Sequence, residues 1–97
     1  MLEHAVLEVG EGAAERFEES FAEALALIEA TPGFRWMRLE RSLESPGRFL
    51  LLVGWDNLED HTQGFRESDR YKRWSELLHP FYDPFPVVEH YVTVRHG

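Results

Sequence analysis

Five histidines, His4, His61, His79, His90 and His96, are the side chains in this 97-residue chain best suited to move a proton near neutral pH. His61 precedes Phe65 by four residues in a segment, 58–65, that reads as helical, so the two share a face. That face is expected to look toward a sheet, where His61 could act as a general base, ligate a haem iron or sit as a hydrogen-bonded core residue. His90 lies in VVEHYVTV (87–94), on the face carrying Val88, Val92 and Val94, and is either a site residue or a satisfied sheet histidine. His79, just before Pro80, suits a helix end, where a cation is welcome. His4 falls on the second face of the first strand, a candidate dimer-interface position, and His96 is in the tail. No two histidines have tight metal-ligand spacing such as HExxH. The chain has no cysteine, which excludes disulfides, thiolate metal sites and a Cys nucleophile.

Aromatic residues supply the second constellation: seven Phe, three Tyr and three Trp. Tyr71, Trp74 and Leu78 share one helical face, Phe81, Tyr82 and Phe85 follow on a connector, and Trp36 and Trp55 lie on strands. Such rings either fill a core or line a flat apolar pocket for an aromatic ligand. The spacing places His61, Phe65, Tyr71 and Trp74 around a cavity between the second helical region and the sheet, with Trp36 or His90 on its floor. The eighteen carboxylates read as solvated surface, and Glu59-Asp60 makes no acid/base pair. The glycines form no phosphate loop, no serine sits in a nucleophile elbow, and no dinucleotide fingerprint is present, so tightly held NAD or FAD is not expected.

The elements that must position these residues follow from periodicity. Residues 2–9 alternate as a strand, with Ala5, Leu7 and Val9 on one face and His4, Val6 and Glu8 on the other. Residues 13–30 form a helix with an apolar stripe of Phe17, Phe21, Ala24, Leu25 and Ile28, and an acidic remainder that includes Glu15, Glu18, Glu19 and Glu23. Thr31-Pro32-Gly33 stops it. A second strand spans 34–42, Ser45-Pro46-Gly47 turns the chain, and a third strand spans 49–55. Helical pieces at 58–65 and 68–79, an irregular connector at 80–86 and a last strand at 87–94 complete a β-α-β-β-α-β order. Two crossovers joined by a hairpin predict an α+β, ferredoxin-like subunit, an antiparallel sheet with helices on one face. Phe49, Leu51, Val53 and Trp55 point one way along the third strand, Leu50 and Leu52 the other. Helices cover one face; the other predicts a homodimer with sheets packed face to face.

Composition narrows the classes. The chain is short enough for a single domain, 1–97, and its 43% apolar content predicts a folded one. A formal net charge of -8 argues against nucleic acid and against an anionic membrane surface as partners. MLEHAVLEVG is too short and acidic for a secretory signal, and no apolar run approaches membrane-spanning length, so the expected location is cytoplasmic.

Four stretches together resemble one family: the glycine-bearing turn at Gly10 and Gly12, TPGF at 31–34, SLESPGRFLLLVGW at 42–55 and FRESDRYKRW at 65–74. In order and spacing they are similar to the antibiotic biosynthesis monooxygenase family of small dimeric α+β barrels, over almost the whole chain. The resemblance implies a pocket in each subunit between sheet and helices, and a cofactor-independent monooxygenase acting on an aromatic or polyphenolic small molecule. His61 is then the candidate base, Tyr71 and Trp74 are donors and stacking surfaces, and Phe65 is a wall. The alternative within the same fold is a non-catalytic small-molecule-binding or interaction domain. The family's haem-degrading branch uses an Asn, a Trp and an axial His. Those positions fall at Ala5, near Gly64 and near Ser75, so haem degradation is not expected.

Overall fold

The computed structural model describes residues 1–97. Strand β1 (Leu2–Glu8) passes through a 3-10 turn (Glu11–Ala13) into helix α1 (Ala14–Glu29). Strands β2 (Phe34–Arg41) and β3 (Arg48–Trp55) follow, then a π-helical turn (Asp60–Phe65), helix α2 (Asp69–Leu78), a second 3-10 turn (His79–Phe81) and strand β4 (Val88–Tyr91). The sheet order is β2-β3-β1-β4, antiparallel throughout. This is the ferredoxin-like βαββαβ arrangement that the two crossovers predict, with both helices on one face.

Strand parity builds the core. Ala5 and Leu7 of β1 and Phe49, Leu51, Val53 and Trp55 of β3 face the helices and are buried. They meet Phe17, Phe21, Ala24 and Ile28, the stripe that α1 presents at spacings of three and four. Phe17 packs on Phe49 at a centroid distance of 4.9 Å. Each such large side chain contributes about 1.5–3 kcal/mol by leaving water. The opposite sheet face carries Val6, Leu50, Leu52, Trp36 and Tyr91, all partly open to solvent.

Two junctions place the second helical region. Gly33 ends the α1 connection with φ 89°, a left-handed conformation that suits glycine, and the Asp60 carboxyl packs where its side chain would be. The first helical turn after β3 is thereby seated against the end of α1. At α2, Ser68 caps the N-terminus by accepting from the Tyr71 amide at 3.3 Å. Arg70 Nε also donates to Thr31 Oγ1 at 3.2 Å, holding α2 to the same corner.

The structure departs from the sequence reading in two places. Helix 58–65 is largely a π-helical turn, with the Arg66 amide bonded to the His61 carbonyl five residues back. The wider turn still keeps residues four apart on one face, so His61 and Phe65 remain aligned. Strand β4 is four residues long, not eight. Its pairing with β1 ends where Tyr91 meets Leu2, and beyond that point Val92 and Val94 are 78% and 94% exposed.

Candidate functional site

The second helical region and the sheet enclose a cavity of about 40 Å³. Its floor is Glu3, Ala5 and Leu7 of β1 with Leu51 of β3. Its walls are His61, Phe65, Tyr71 and Trp74, and its rim is Arg66, His79, Tyr82, Phe85 and Pro86. Phe65 stands edge-on to Tyr71 and Trp74 at 5.4 Å from each, so three of the four sequence-predicted wall residues form one aromatic corner. His79, read as a helix cap, instead stacks edge-on against Phe85 at 4.9 Å and against Tyr71 at 5.7 Å.

Glu3, His61 and His90 are brought together beside this cavity. Glu3 shares β1 parity with Ala5 and Leu7 and is only 5% exposed. Its Oε1 accepts a hydrogen bond from Trp55 Nε1 at 2.9 Å and lies 3.3 Å from His61 Nε2. His61 Nδ1 is 2.9 Å from His90 Nε2. The His61 ring lies over Trp55 at 5.5 Å with 20° between planes. His61 is 2% exposed, and burial, then Arg66 and His90, lower its pKa to about 3. It is neutral at physiological pH, so its contact with Glu3 is not an ion pair. With Glu3 ionised, the favoured tautomer carries its proton on Nε2, facing the carboxylate. Nδ1 then accepts from His90 Nε2–H, and both ring nitrogens are engaged inside the protein.

Charge regulation in this group has one dominant cause. Burial raises the Glu3 pKa; the Trp55 hydrogen bond and the Arg66 charge pull it back. Burial also lowers His79, and lowers His90, which Arg66 depresses further. The Tyr82 phenol is pushed well up by burial, with Tyr71 and Glu3 adding to the effect. The site thus favours neutral side chains around one carboxyl and one exposed guanidinium.

Trp36 is not part of this cavity. Its cross-strand partner is Gly54, and both lie on the open face of the sheet, with the indole packed where any Gly54 side chain would stand. A register irregularity between Phe34 and Trp36 accompanies this placement. Trp36 instead borders a second, more polar groove of about 320 Å³ with Arg35, Asp56 and Met1. His90 occupies the helix-facing side, opposite Glu3, and reaches the site through His61.

Sequence reasoning missed Glu3, Arg66, His79 and Tyr82 as cavity residues. Glu3 had a signal: a carboxylate on the apolar parity of a strand. Tyr82 had its ring as a signal but no position, because a non-periodic connector gives no face; Arg66, in the break between two helical pieces, had neither. No group of three or more His, Asp or Glu side chains is placed to hold a metal ion, and no helix is long and apolar enough to cross a membrane.

Comparison with known proteins agrees with this architecture. The chain is 45% identical over 92 residues to the uncharacterized protein YczJ of Bacillus subtilis, spanning 95% of this chain and 97% of YczJ. A crystal structure from Bordetella bronchiseptica superposes with a TM-score of 0.91 and 31% identity, covering 97% of this chain and 96% of that one. The cofactor-independent oxygenase SnoaB from Streptomyces nogalater shares the fold, with a TM-score of 0.81 at 15% identity over 98% and 94% of the two chains. The family description "antibiotic biosynthesis monooxygenase" matches residues 1–77. The chain therefore belongs to the antibiotic biosynthesis monooxygenase family.

Proposed function

We propose that the protein is a cofactor-independent monooxygenase acting on a small aromatic molecule in the cavity between the sheet and the second helical region. One observation carries the reading: an apolar, aromatic-walled cavity bordered by the buried Glu3 carboxyl and His61 imidazole, with the exposed His90 ring bonded to His61 from outside. Oxygenation without a cofactor requires the substrate itself to be the reductant. A base removes a proton, and the electron pair left on the substrate reduces O2. An activated methylene then becomes a carbonyl. One oxygen atom of O2 enters the product, and the other leaves as water with the two methylene hydrogens. Apolar walls admit O2 and a flat ring, and the polar group around the buried Glu3 and His61 supplies the proton transfer. In this reading Phe65 and Trp74 are walls, Tyr71 is a donor, and His61 with His90 belongs to the proton-transfer group.

The volume favours compact substrates. About 40 Å³ is well below the roughly 150 Å³ of a cavity that takes up benzene. A ring is therefore enclosed only in part unless the rim at Phe85 and Pro86 moves. The same observation supports a second reading, a binding domain without catalysis.

The proposed assembly is a homodimer through the open sheet face. Trp36 and Tyr91 are 43% and 47% exposed there, alongside Val6, Leu50 and Leu52. A second copy of the same face would bury this apolar surface.

Oxygen uptake with a panel of phenols and hydroxylated anthrones, with product identification under isotopically labelled oxygen gas, tests the function. Uptake with label in the product supports the oxygenase. Saturable binding with no uptake leaves the binding-domain reading.

A further inference from the structure

We propose that Glu3 and Arg66 act as a pair: Glu3 Oε2 takes the proton of a weakly acidic aromatic O–H, and the Arg66 guanidinium holds the oxygen anion that remains. The substrate class is then a phenol or enol able to ionise. The proposal rests on the oxygenase reading only for the aromatic character of the ligand.

The geometry favours Glu3 over His61 as the base that takes the proton. His61 has no free lone pair to offer, because Nδ1 is engaged by His90 and Nε2 faces Glu3. Its ring is also fixed against Trp55. It is a positioning residue that, with Trp55 Nε1, orients the carboxyl by engaging Oε1. Oε2 has no protein hydrogen bond, and Glu3 borders the cavity. One carboxyl oxygen is thus held, and the other is left for a ligand.

Arg66 supplies the second half. It borders the same cavity at its solvent-exposed rim and forms no ion pair with any carboxylate, unlike Arg35, Arg38, Arg41, Arg48 and Arg73. Its charge is felt by Glu3, His61 and His90. A guanidinium next to a low-dielectric cavity stabilises an oxyanion that forms there more than it would in water.

The proton balance is simple. The O–H bond breaks, the proton moves to Oε2, and the electron pair stays on the substrate oxygen. The net charge of the site is unchanged, since one buried carboxylate becomes neutral as one phenolate forms. Burial, which raises the Glu3 pKa, makes that carboxylate a stronger base than one in water. A cavity of about 40 Å³ accepts the hydroxyl end of a ring, leaving the remainder at the rim beside Phe85.

The test uses 4-nitrophenol, whose phenolate has its own absorption band, with the full chain, without O2, at a pH below the probe's own pKa. Binding to the wild type should generate the phenolate band. Glu3→Gln keeps the carbonyl that accepts from Trp55 and should bind the probe without the band. Arg66→Ala lies at the exposed rim, leaves the core untouched, and should weaken binding by about tenfold to a hundredfold, with partial rescue by Arg66→Lys. No binding to the wild type, no band on binding, or an unchanged band in Glu3→Gln with native circular dichroism would each overturn the proposal. So would unchanged affinity in Arg66→Ala. Oxygen uptake is measured separately. A phenolate band without uptake removes the oxygenase reading alone, and uptake that survives Glu3→Gln removes the Glu3 assignment alone.

Discussion

His61 Nδ1 lies 2.9 Å from His90 Nε2, so a ring from the π-helical turn is hydrogen-bonded to a ring from the edge strand β4. Four-residue β4 is otherwise held by its ladder with β1, by Val88 packed on the core and by Tyr91 edge-on to His4. The contact therefore ties the second helical region to the sheet beside the cavity. Because His61 is buried and neutral, this tie depends on pH.

Burial holds the folded-state pKa of His61 at about 3, against 6.5 for an unperturbed histidine. Between these values the unfolded chain binds more protons, so stability rises with pH across the window. The contribution is complete above about pH 6.5 and is lost as pH falls toward 3. His79 and His90, also lowered, act in the same sense. Glu3 opposes them: its contribution is present below 4.5 and is lost as pH rises through its raised folded value. Comparing wild type with His61→Ala isolates the His61 part. At neutral pH the variant should be less stable by about 1–3 kcal/mol. The gap should narrow on acidification, because only the wild type gains a proton at this ring on unfolding. Urea denaturation at several pH values measures it, and a constant gap would show that His61 does not titrate as described.

Strand parity made much of the cavity legible, and disregard of it accounts for the main errors. Phe49, Leu51, Val53 and Trp55 alternate with Leu50 and Leu52, and the sheet buries them accordingly. The same parity puts Trp36 with Arg38 and Glu40, away from Met37 and Leu39, and so on the open face. It also puts Glu3 with Ala5 and Leu7, inside. His61 and Phe65 were legible because a spacing of four survives the change from α- to π-helix. Arg66, in the break between the two helical pieces, gave no face at all; Tyr82 and Phe85 stood out as rings but could not be placed, because their positions depend on how the connector crosses the cavity. That path is set by tertiary packing around Pro80, Pro84 and Pro86, not by a local period.

The open sheet face predicts a dimer that a single charge should break. Leu52 is half-buried at the centre of that face, opposite His4 on β1 and Arg38 on β2. Leu52→Lys places an ammonium where a second sheet would pack and leaves the helix-facing core intact. Sedimentation equilibrium should show a wild-type dimer at micromolar concentration and a folded monomer for the variant. A wild-type monomer under those conditions would contradict the face-to-face assembly.

Haemin should not be degraded. Ala5, where the haem-degrading branch has Asn, is 2% exposed and borders the cavity with a methyl group only. Ser75, where that branch has its axial His, offers a hydroxyl in place of an imidazole. Titration with haemin followed by reductant should release no iron. A tight complex with a shifted Soret band that then loses iron would overturn this expectation.

Phe85 is expected to limit access to the cavity. Its ring is 59% exposed, borders the cavity and rests edge-on against His79 at 4.9 Å, so it forms a wall that is anchored by one main contact. Removing it should cost little stability, under about 1 kcal/mol, because most of the ring already faces water. It should widen the rim without disturbing Glu3, His61 or His90, none of which it contacts among the aromatic pairs. Phe85→Ala is therefore expected to extend ligand acceptance from single-ring phenols to fused-ring ones, while single-ring affinity falls through loss of the stacking surface. Parallel calorimetric titrations of both proteins with phenol and 1-naphthol measure the shift in preference. An unchanged preference, with wild-type stability retained, would mean that the ligand enters by another route or that the rim does not limit size.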